Sequence, residues 1–205
     1  MPKPKKRSTH EQQLNYALKP IWYLGIDPGS NGGVAAITDR SSVRFPSTHT
    51  TEWFTGMNSR NDLAEFLRSF ALNSRFAVVE LNNSSPQMGV VSAMTFGRNC
   101  EQPSAMLSAL SIPYEEVRPQ EWQRYLQIPP RRKAIISRKK TKGKDARRCR
   151  VGETDTQWKD RLRAKAQQMF PGIDLWQQNK TIQRAVCDAL LIAEYCRRIY
   201  SGESR

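Results

Sequence analysis

The chain has 205 residues and carries 33 Lys and Arg against 19 Asp and Glu, a net charge of +14. That length suffices for one domain with a substantial core, and that charge points to a polyanionic partner, most often nucleic acid. No apolar run approaches the ~20 residues of a membrane span, no secretory signal pattern is found, and Cys100, Cys149, Cys187 and Cys196 form no C-x-x-C pair, which argues against zinc and for reduced thiols.

The N-terminal stretch MPKPKKRSTH opens a basic arm, taken as residues 1–20, and the remainder to residue 200 reads as one domain. IWYLGID, GVAAIT and SSVRFP read as three successive strands. The first stops abruptly at Asp27-Pro28-Gly29, which places one carboxylate at a strand exit. Two readings of Asp27 fit: a turn acid bonded to its own backbone, or a site acid. RNDLAEFLRSFAL predicts a helix with Leu63, Phe66, Leu67 and Phe70 on one face. RFAVVEL predicts a buried strand with Glu80 near its end. GVVSAMTFGRNCEQPSAMLSAL is mostly helical with a break expected near Pro103, PYEEVRP is a short strand, and QEWQRYL a short helix.

Residues 131–150, RRKAIISRKKTKGKDARRCR, hold 11 basic residues and the single acid Asp145. With Pro129-Pro130 before it and no sustained periodicity, residues 128–150 read as a basic loop inserted in the domain, ordered only on a partner. Clusters of this kind gain from counterion release on phosphates; a solvated basic segment is the plain alternative. The basic N-terminal arm also has the pattern of a nuclear import signal. TQWKDRLRAKAQQMF predicts a helix ending before Pro171-Gly172. TIQRAVCDALLIAEYCRRI predicts the last helix, with Ile182, Val186, Ala189, Leu190, Ala193 and Cys196 facing inward. Strands followed by mixed strands and helices predict an α/β fold, a mixed sheet with helices on both faces.

Asp27 and Glu80 both lie at strand ends, and neighbouring strands run ~4.8 Å apart, so the two can meet at one sheet edge. Asp188, among apolar neighbours on the last helix, is costly to bury unpaired. Three carboxylates at one point need a cation between them, and hard oxygen donors suit Mg²⁺ or Mn²⁺. Pairing of Glu80 and Asp188 with surface arginines is the other reading.

Four segments in order, GIDPGSNGG, VVELNNSSPQMGVVSAMTFGRN, IPYEEVRPQEWQ, and KDRLRAKAQQMFPG with CDALLIAEYCRR, resemble the RuvC-type Holliday junction resolvases of the RNase H-like nuclease superfamily, in their phage and organelle-like branch. The basic arms lie outside the resemblance. The resemblance implies an RNase H-like mixed sheet and a homodimer that resolves four-way DNA junctions by Mg²⁺-dependent hydrolysis, with two cations per site. Asp27, Glu80 and Asp188 match its catalytic, metal-holding acids, and Lys159 matches a basic residue near the scissile phosphate. Ser30, Arg98, Gln120 and Trp122, within the matched segments, are expected at the DNA. So are Arg131, Arg132, Lys133, Arg138, Lys139 and Lys140 of the basic loop. Val90, Val91 and Met94 are expected at the dimer contact, unless they are simply core. A cytoplasmic or nucleoid-associated location follows, with organelle and nucleus as further options. One departure stands out. The resemblance calls for another acid, or a His, one turn before Asp188, and this chain has Arg184-Ala185. That departure favours an alternative, a four-way-junction binder with weak or lost cleavage. A sugar-kinase-like chain would need a second Asp-Gly phosphate loop, which is not found.

Overall fold

The computed structural model describes residues 20–38, 51–55, 59–132, 135–138, 148–175 and 180–202. Strands β1 (Trp22–Asp27), β2 (Gly33–Thr38), β3 (Thr51–Thr55), β4 (Ser74–Glu80) and β5 (Tyr114–Val117) form one sheet in the order β3-β2-β1-β4-β5. β1, β2 and β3 pair antiparallel, whereas β4 and β5 join parallel to β1. The period-2 alternation of a strand sorts its side chains onto two cores. Tyr23, Ala35, Ile37 and Val78 face one layer of helices. Trp22, Leu24, Ile26, Val34, Ala36, Ala77 and Val79 face the other.

Helix α1 (Arg60–Phe70) buries Leu63, Leu67 and Phe70 on the second face, with Phe66 partly buried beside them, as its spacing predicts. Helix α2 (Val90–Ala109) runs through Pro103 without the expected break. Proline removes one helical hydrogen bond, and here the burial of Pro103, Ser104 and Leu107 on one side of the helix offsets that loss. Helix α3 (Pro119–Tyr125), helix α4 (Asp155–Met169) and helix α5 (Lys180–Tyr200) belong to the first face.

Helix α5 lies directly on the centre of the sheet. A Cβ at Gly25 in β1 would collide with the backbone of Ala189 and Ala193, and one at Gly33 would press on the Ala185 carbonyl at 3.1 Å. Small residues at 185, 189 and 193, facing glycines, let the helix backbone approach the strands closely. Every residue from Ala185 to Arg197 is consequently buried, so the expected single inward stripe is an all-round burial.

Two further expectations change. The third strand of the sheet is Thr51–Thr55, which pairs with β2 from Gly33↔Thr55 to Ile37↔Thr51; the stretch 41–46 expected in that role lies outside the described residues. The basic segment is not wholly irregular. Strands β6 (Ile135–Arg138) and β7 (Arg148–Val151) pair antiparallel within it. Its β-favouring residues Ile135 and Ile136, and Val151 just beyond its end, are set among basic residues whose density of charge concealed them. The N-terminal arm to residue 19, Lys133, Lys139 and Lys140 lie outside the described residues. Among the described residues, no helix is long and apolar enough to cross a membrane.

Candidate active site

β1 and β4 are parallel neighbours, and their register pairs Ile26 with Val79. The next residues, Asp27 and Glu80, therefore leave the same edge of the sheet side by side. The chain turns sharply after Asp27. Gly29 holds φ at +129°, a backbone region that favours glycine, and the Gly32 N–H donates to the Gly29 carbonyl at 3.1 Å. Asp188 reaches the same place from α5, and Lys159 from α4. A capping box starts α4: the Gln157 N–H donates to Thr154 Oγ1 at 3.2 Å, and the Thr154 N–H donates to Gln157 Oε1 at 2.9 Å. Lys159 follows one turn into that helix, and its Nζ donates to Asp188 Oδ2 in an ion pair.

These groups sense one another. Asp27 is pushed well above the usual carboxylate range, first by burial and then by the charges of Asp188 and Glu80; Lys159 and Asn82 oppose the shift. Glu80 is pushed up to about 7, first by burial and then by Asp188, against the hydrogen bond from Trp122 and the Lys159 charge. Burial also raises Asp188, against the ammonium of Lys159 and the guanidinium of Arg184. Burial alone would lower Lys159; Asp188, then Asp27 and Glu80, outweigh it and raise the ammonium. The four expected catalytic residues thus form one electrostatic unit.

A cleft of about 390 Å³ opens over Asp27, Lys159 and Asp188, lined also by the turn 28–32, Phe96, Arg184 and Ala185, with Glu80 beside Asp27 but not in the lining. Ser30 lies on its wall. Arg184, exposed to solvent, lines it where the departure from the resemblance put it. The other acids near by do not replace the missing one. Glu194 is buried against Arg197 and Arg198, and exposed Asp174 does not line the cleft.

The structure corrects one expectation and places the other expected contacts outside the cleft. Trp122 is not a DNA-facing residue. It is 1% exposed, because its indole fills the core beneath α3 while its Nε1 donates to Glu80 Oε2 at 2.8 Å. Arg98 is exposed on α2 but lines a separate groove with Arg60, Glu101 and Met106. Gln120 lines another, with Arg124 and Ile128. Arg131 pairs with Asp155 and donates to the Glu153 carbonyl at 3.3 Å, so it is tied to the start of α4; Arg132 is exposed beside it. Val90 and Val91 are each 78% exposed and Met94 62%, so they are not core.

Sequence reasoning missed four contributions. Asn82, in the loop after β4, directs its Nδ2 to Asp27 Oδ1 at 3.5 Å and to the Pro28 carbonyl at 3.4 Å, spanning the two strand exits. Phe96 brings α2 to the cleft, and Cys100 one turn later feels the Asp27 charge after the larger effect of burial. The fourth is Trp122 in its actual role, as a donor to Glu80. Asn82 was the most findable, an amide two residues beyond a candidate site acid.

The donor set suits a hard divalent cation. Asp188 is buried, Asp27 and Glu80 are partly buried, the three acids repel one another, and Asp188 Oδ1 is buried with no hydrogen-bond partner. As arranged, however, no three carboxylate, His or Cys side chains among the described residues stand close enough together to hold an ion. Glu80 is turned to Trp122 and Asp188 to Lys159.

No protein-family model and no curated protein matches the chain. Among solved structures, it is similar to Thermus thermophilus RuvC in complex with a Holliday junction substrate, with 12% identity and a TM-score of 0.50 over 87% of this chain and 96% of that one. A second Thermus thermophilus RuvC structure aligns with 13% identity and a TM-score of 0.50 over 88% and 98%. Identity at that level speaks to the fold alone: a mixed five-stranded sheet with flanking helices, of the RuvC and RNase H-like kind.

Proposed function

We propose that this chain is a structure-specific endodeoxyribonuclease that binds four-way DNA junctions as a homodimer and hydrolyses one phosphodiester in each of two opposed strands. The observation that carries this reading is the convergence of Asp27, Glu80 and Asp188, from β1, β4 and α5, with Lys159 at an open cleft that Asp27, Asp188 and Lys159 line, in a RuvC-like fold. The acids would hold Mg²⁺ or Mn²⁺. A cation so held supplies an activated water and charge stabilisation at the leaving oxygen. The chain's own residues do the rest. Asn82 holds the Asp27 carboxylate against the turn. Lys159 presents a cation at the wall of the cleft, where a backbone phosphate would lie.

The net charge of +14 supports a DNA partner. Arg131, Arg132 and the basic segment after them would contact phosphates without reading bases. The exposed Val90, Val91 and Met94 at the start of α2 supply an apolar patch for a second copy, and a two-fold axis through it would give the two clefts that paired cuts require.

A nicking assay on a synthetic four-way junction with Mg²⁺ tests the reading: symmetric incisions in two opposed strands are the expected result. A second reading is a junction-binding protein with weak or lost cleavage. Arg184 on the cleft wall and the engagement of Asp188 by Lys159 favour it. Tight junction binding without incision at any Mg²⁺ or Mn²⁺ concentration would establish that second reading and sink the first.

A further inference from the structure

The acids that converge at the cleft, Asp27 and Asp188 in its lining and Glu80 beside Asp27, fall into two groups. Asp27 and Glu80 have neutral hydrogen-bond donors, Asn82 and Trp122, and no ion pair among the described residues. Asp188 has a cation, Lys159. Arg184, one helical turn before Asp188, adds a second cation on the same side of the cleft and forms no ion pair among the described residues. With all three carboxylates ionised, the state a bound cation favours, the two cations leave one negative charge. One divalent cation and one phosphodiester anion bring the cleft to neutrality, whereas a second divalent cation would leave two positive charges over. At short range in a partly desolvated cleft, such an excess is strongly unfavourable.

We propose that the cleft divides into a single divalent-cation site held by Asp27 and Glu80 and a phosphate subsite held by Lys159 and Arg184. Asp188 is then the counter-ion that positions Lys159, not a ligand of a second metal. This rests on the nuclease reading for its substrate but differs from the two cations that the sequence resemblance implies. The chemistry of the two sides agrees with the division. Carboxylate oxygens are hard ligands that select Mg²⁺ or Mn²⁺. An ammonium and a guanidinium offer only donors, and the guanidinium fork matches two phosphate oxygens. Lys159 keeps a side chain 35% exposed while paired with a nearly buried Asp188, so it can serve the carboxylate and a phosphate together.

The test is Mn²⁺ binding to the full chain without DNA, followed by electron paramagnetic resonance up to millimolar concentrations. One Mn²⁺ per chain is expected, lost in Asp27→Asn and retained in Asp188→Asn. Lys159→Met combined with Arg184→Asp should free Asp188 and admit a second ion. Two ions per wild-type chain, no ion at all, or loss of the ion in Asp188→Asn would each overturn the proposal. The phosphate arm uses a fluorescent four-way junction in EDTA. Arg184→Gln should weaken binding roughly threefold to tenfold and lower the logarithmic salt slope by about one. An unchanged affinity and slope would remove Arg184 from the subsite. Neither measurement needs cleavage. A chain that binds one Mn²⁺ but cuts nothing would therefore sink the nuclease reading and leave the division standing.

Discussion

Helix α5 buries two carboxylates less than two turns apart and treats them in opposite ways. Glu194 accepts from Arg197 Nε at 2.9 Å and from Arg198 Nε at 2.7 Å. Burial alone would raise it, but the two guanidiniums outweigh burial and hold it below the usual carboxylate range. Asp188 has one oxygen on Lys159 and the other buried without a partner, and burial wins there: its carboxyl is pushed up. A fully paired buried acid ties a structure together. A half-paired one, in a cleft and beside two further raised acids, is left with bonding capacity for something else. The helix is thus a fastener at its C-terminal half and part of a site at its N-terminal half.

The comparison breaks most clearly on cleavage. Asp27→Asn and Glu80→Gln should reduce junction cutting by at least about a thousandfold, the scale of losing an electrostatic element of the transition state, with binding intact or tighter. Asp188→Asn should lose about a hundredfold, because it acts through Lys159. Glu194→Gln, measured per folded molecule, should stay within about threefold of wild type. Single-turnover rates on a labelled four-way junction give all four numbers. A Glu194→Gln rate as low as that of Asp188→Asn would erase the distinction between the two halves of α5.

Stability should reverse the order. Arg197 is 2% exposed, so Glu194→Gln leaves a buried guanidinium half-paired. Breaking such a pair costs about 3–5 kcal/mol. Asp188→Asn leaves Lys159, which is partly exposed and can rehydrate; its effect should be under about 1 kcal/mol. Urea denaturation midpoints of the two variants, with slopes unchanged, separate these outcomes.

Acid titration gives a third contrast, opposite in sign at the two sites. The folded-state pKa of Glu80 is raised to about 7 from an ordinary value near 4.5. The folded chain therefore binds more protons than the unfolded one between those values, and stability falls as pH rises through that window. Glu194 is depressed, so its contribution is present above the unfolded pKa and lost as pH falls through the folded one. Glu80→Gln should flatten the decline between pH 5 and 7, on the order of 3 kcal/mol at most. Saturating Mn²⁺ should flatten it too, by favouring the ionised acids. A Glu80→Gln chain that keeps the full decline would place the responsible group elsewhere.

The same contrast marks how far the sequence could be read. The strand ending on Asp27, the buried strand ending on Glu80 and the helix carrying Asp188 follow from local apolar pattern, and their convergence follows from strand spacing and order. The centre of the sheet was legible for that reason. Strand β3 was not, because an edge strand pairs on one side only and needs little apolar pattern; Glu52 and Trp53 are exposed. The pairing of Glu194 with Arg197 and Arg198 was readable in principle from its three- and four-residue spacing. The Lys159 ion pair with Asp188 joins residues on two different helices, and no local pattern encodes it. Trp122 misled for a related reason: an indole suits a DNA face or a core with a polar handle, and its hydrogen-bond partner lies 42 residues away in sequence.

Trp122 also supplies the smallest effect. Its Nε1 donates to Glu80 Oε2 at 2.8 Å, and this bond opposes the upward push on the Glu80 carboxyl. Trp122→Phe keeps an aromatic ring in the core but removes the donor. A hydrogen bond to a charged group is worth about 1.5 kcal/mol net, so the Glu80 carboxyl should rise by about one pH unit. A cation competes with that proton, and the competition sets the size of the effect. With the pKa moved from near 7 to near 8, Mn²⁺ affinity at pH 7 should drop about fivefold, whereas at pH 9 both forms are ionised and the affinities should coincide. The pH dependence separates this role from simple loss of packing, which would weaken Mn²⁺ binding equally at both pH values. Equal loss at pH 7 and pH 9 would make Trp122 a core residue only and leave Glu80 without a tuned partner, closer in kind to the half-paired Asp188 than the hydrogen bond now makes it.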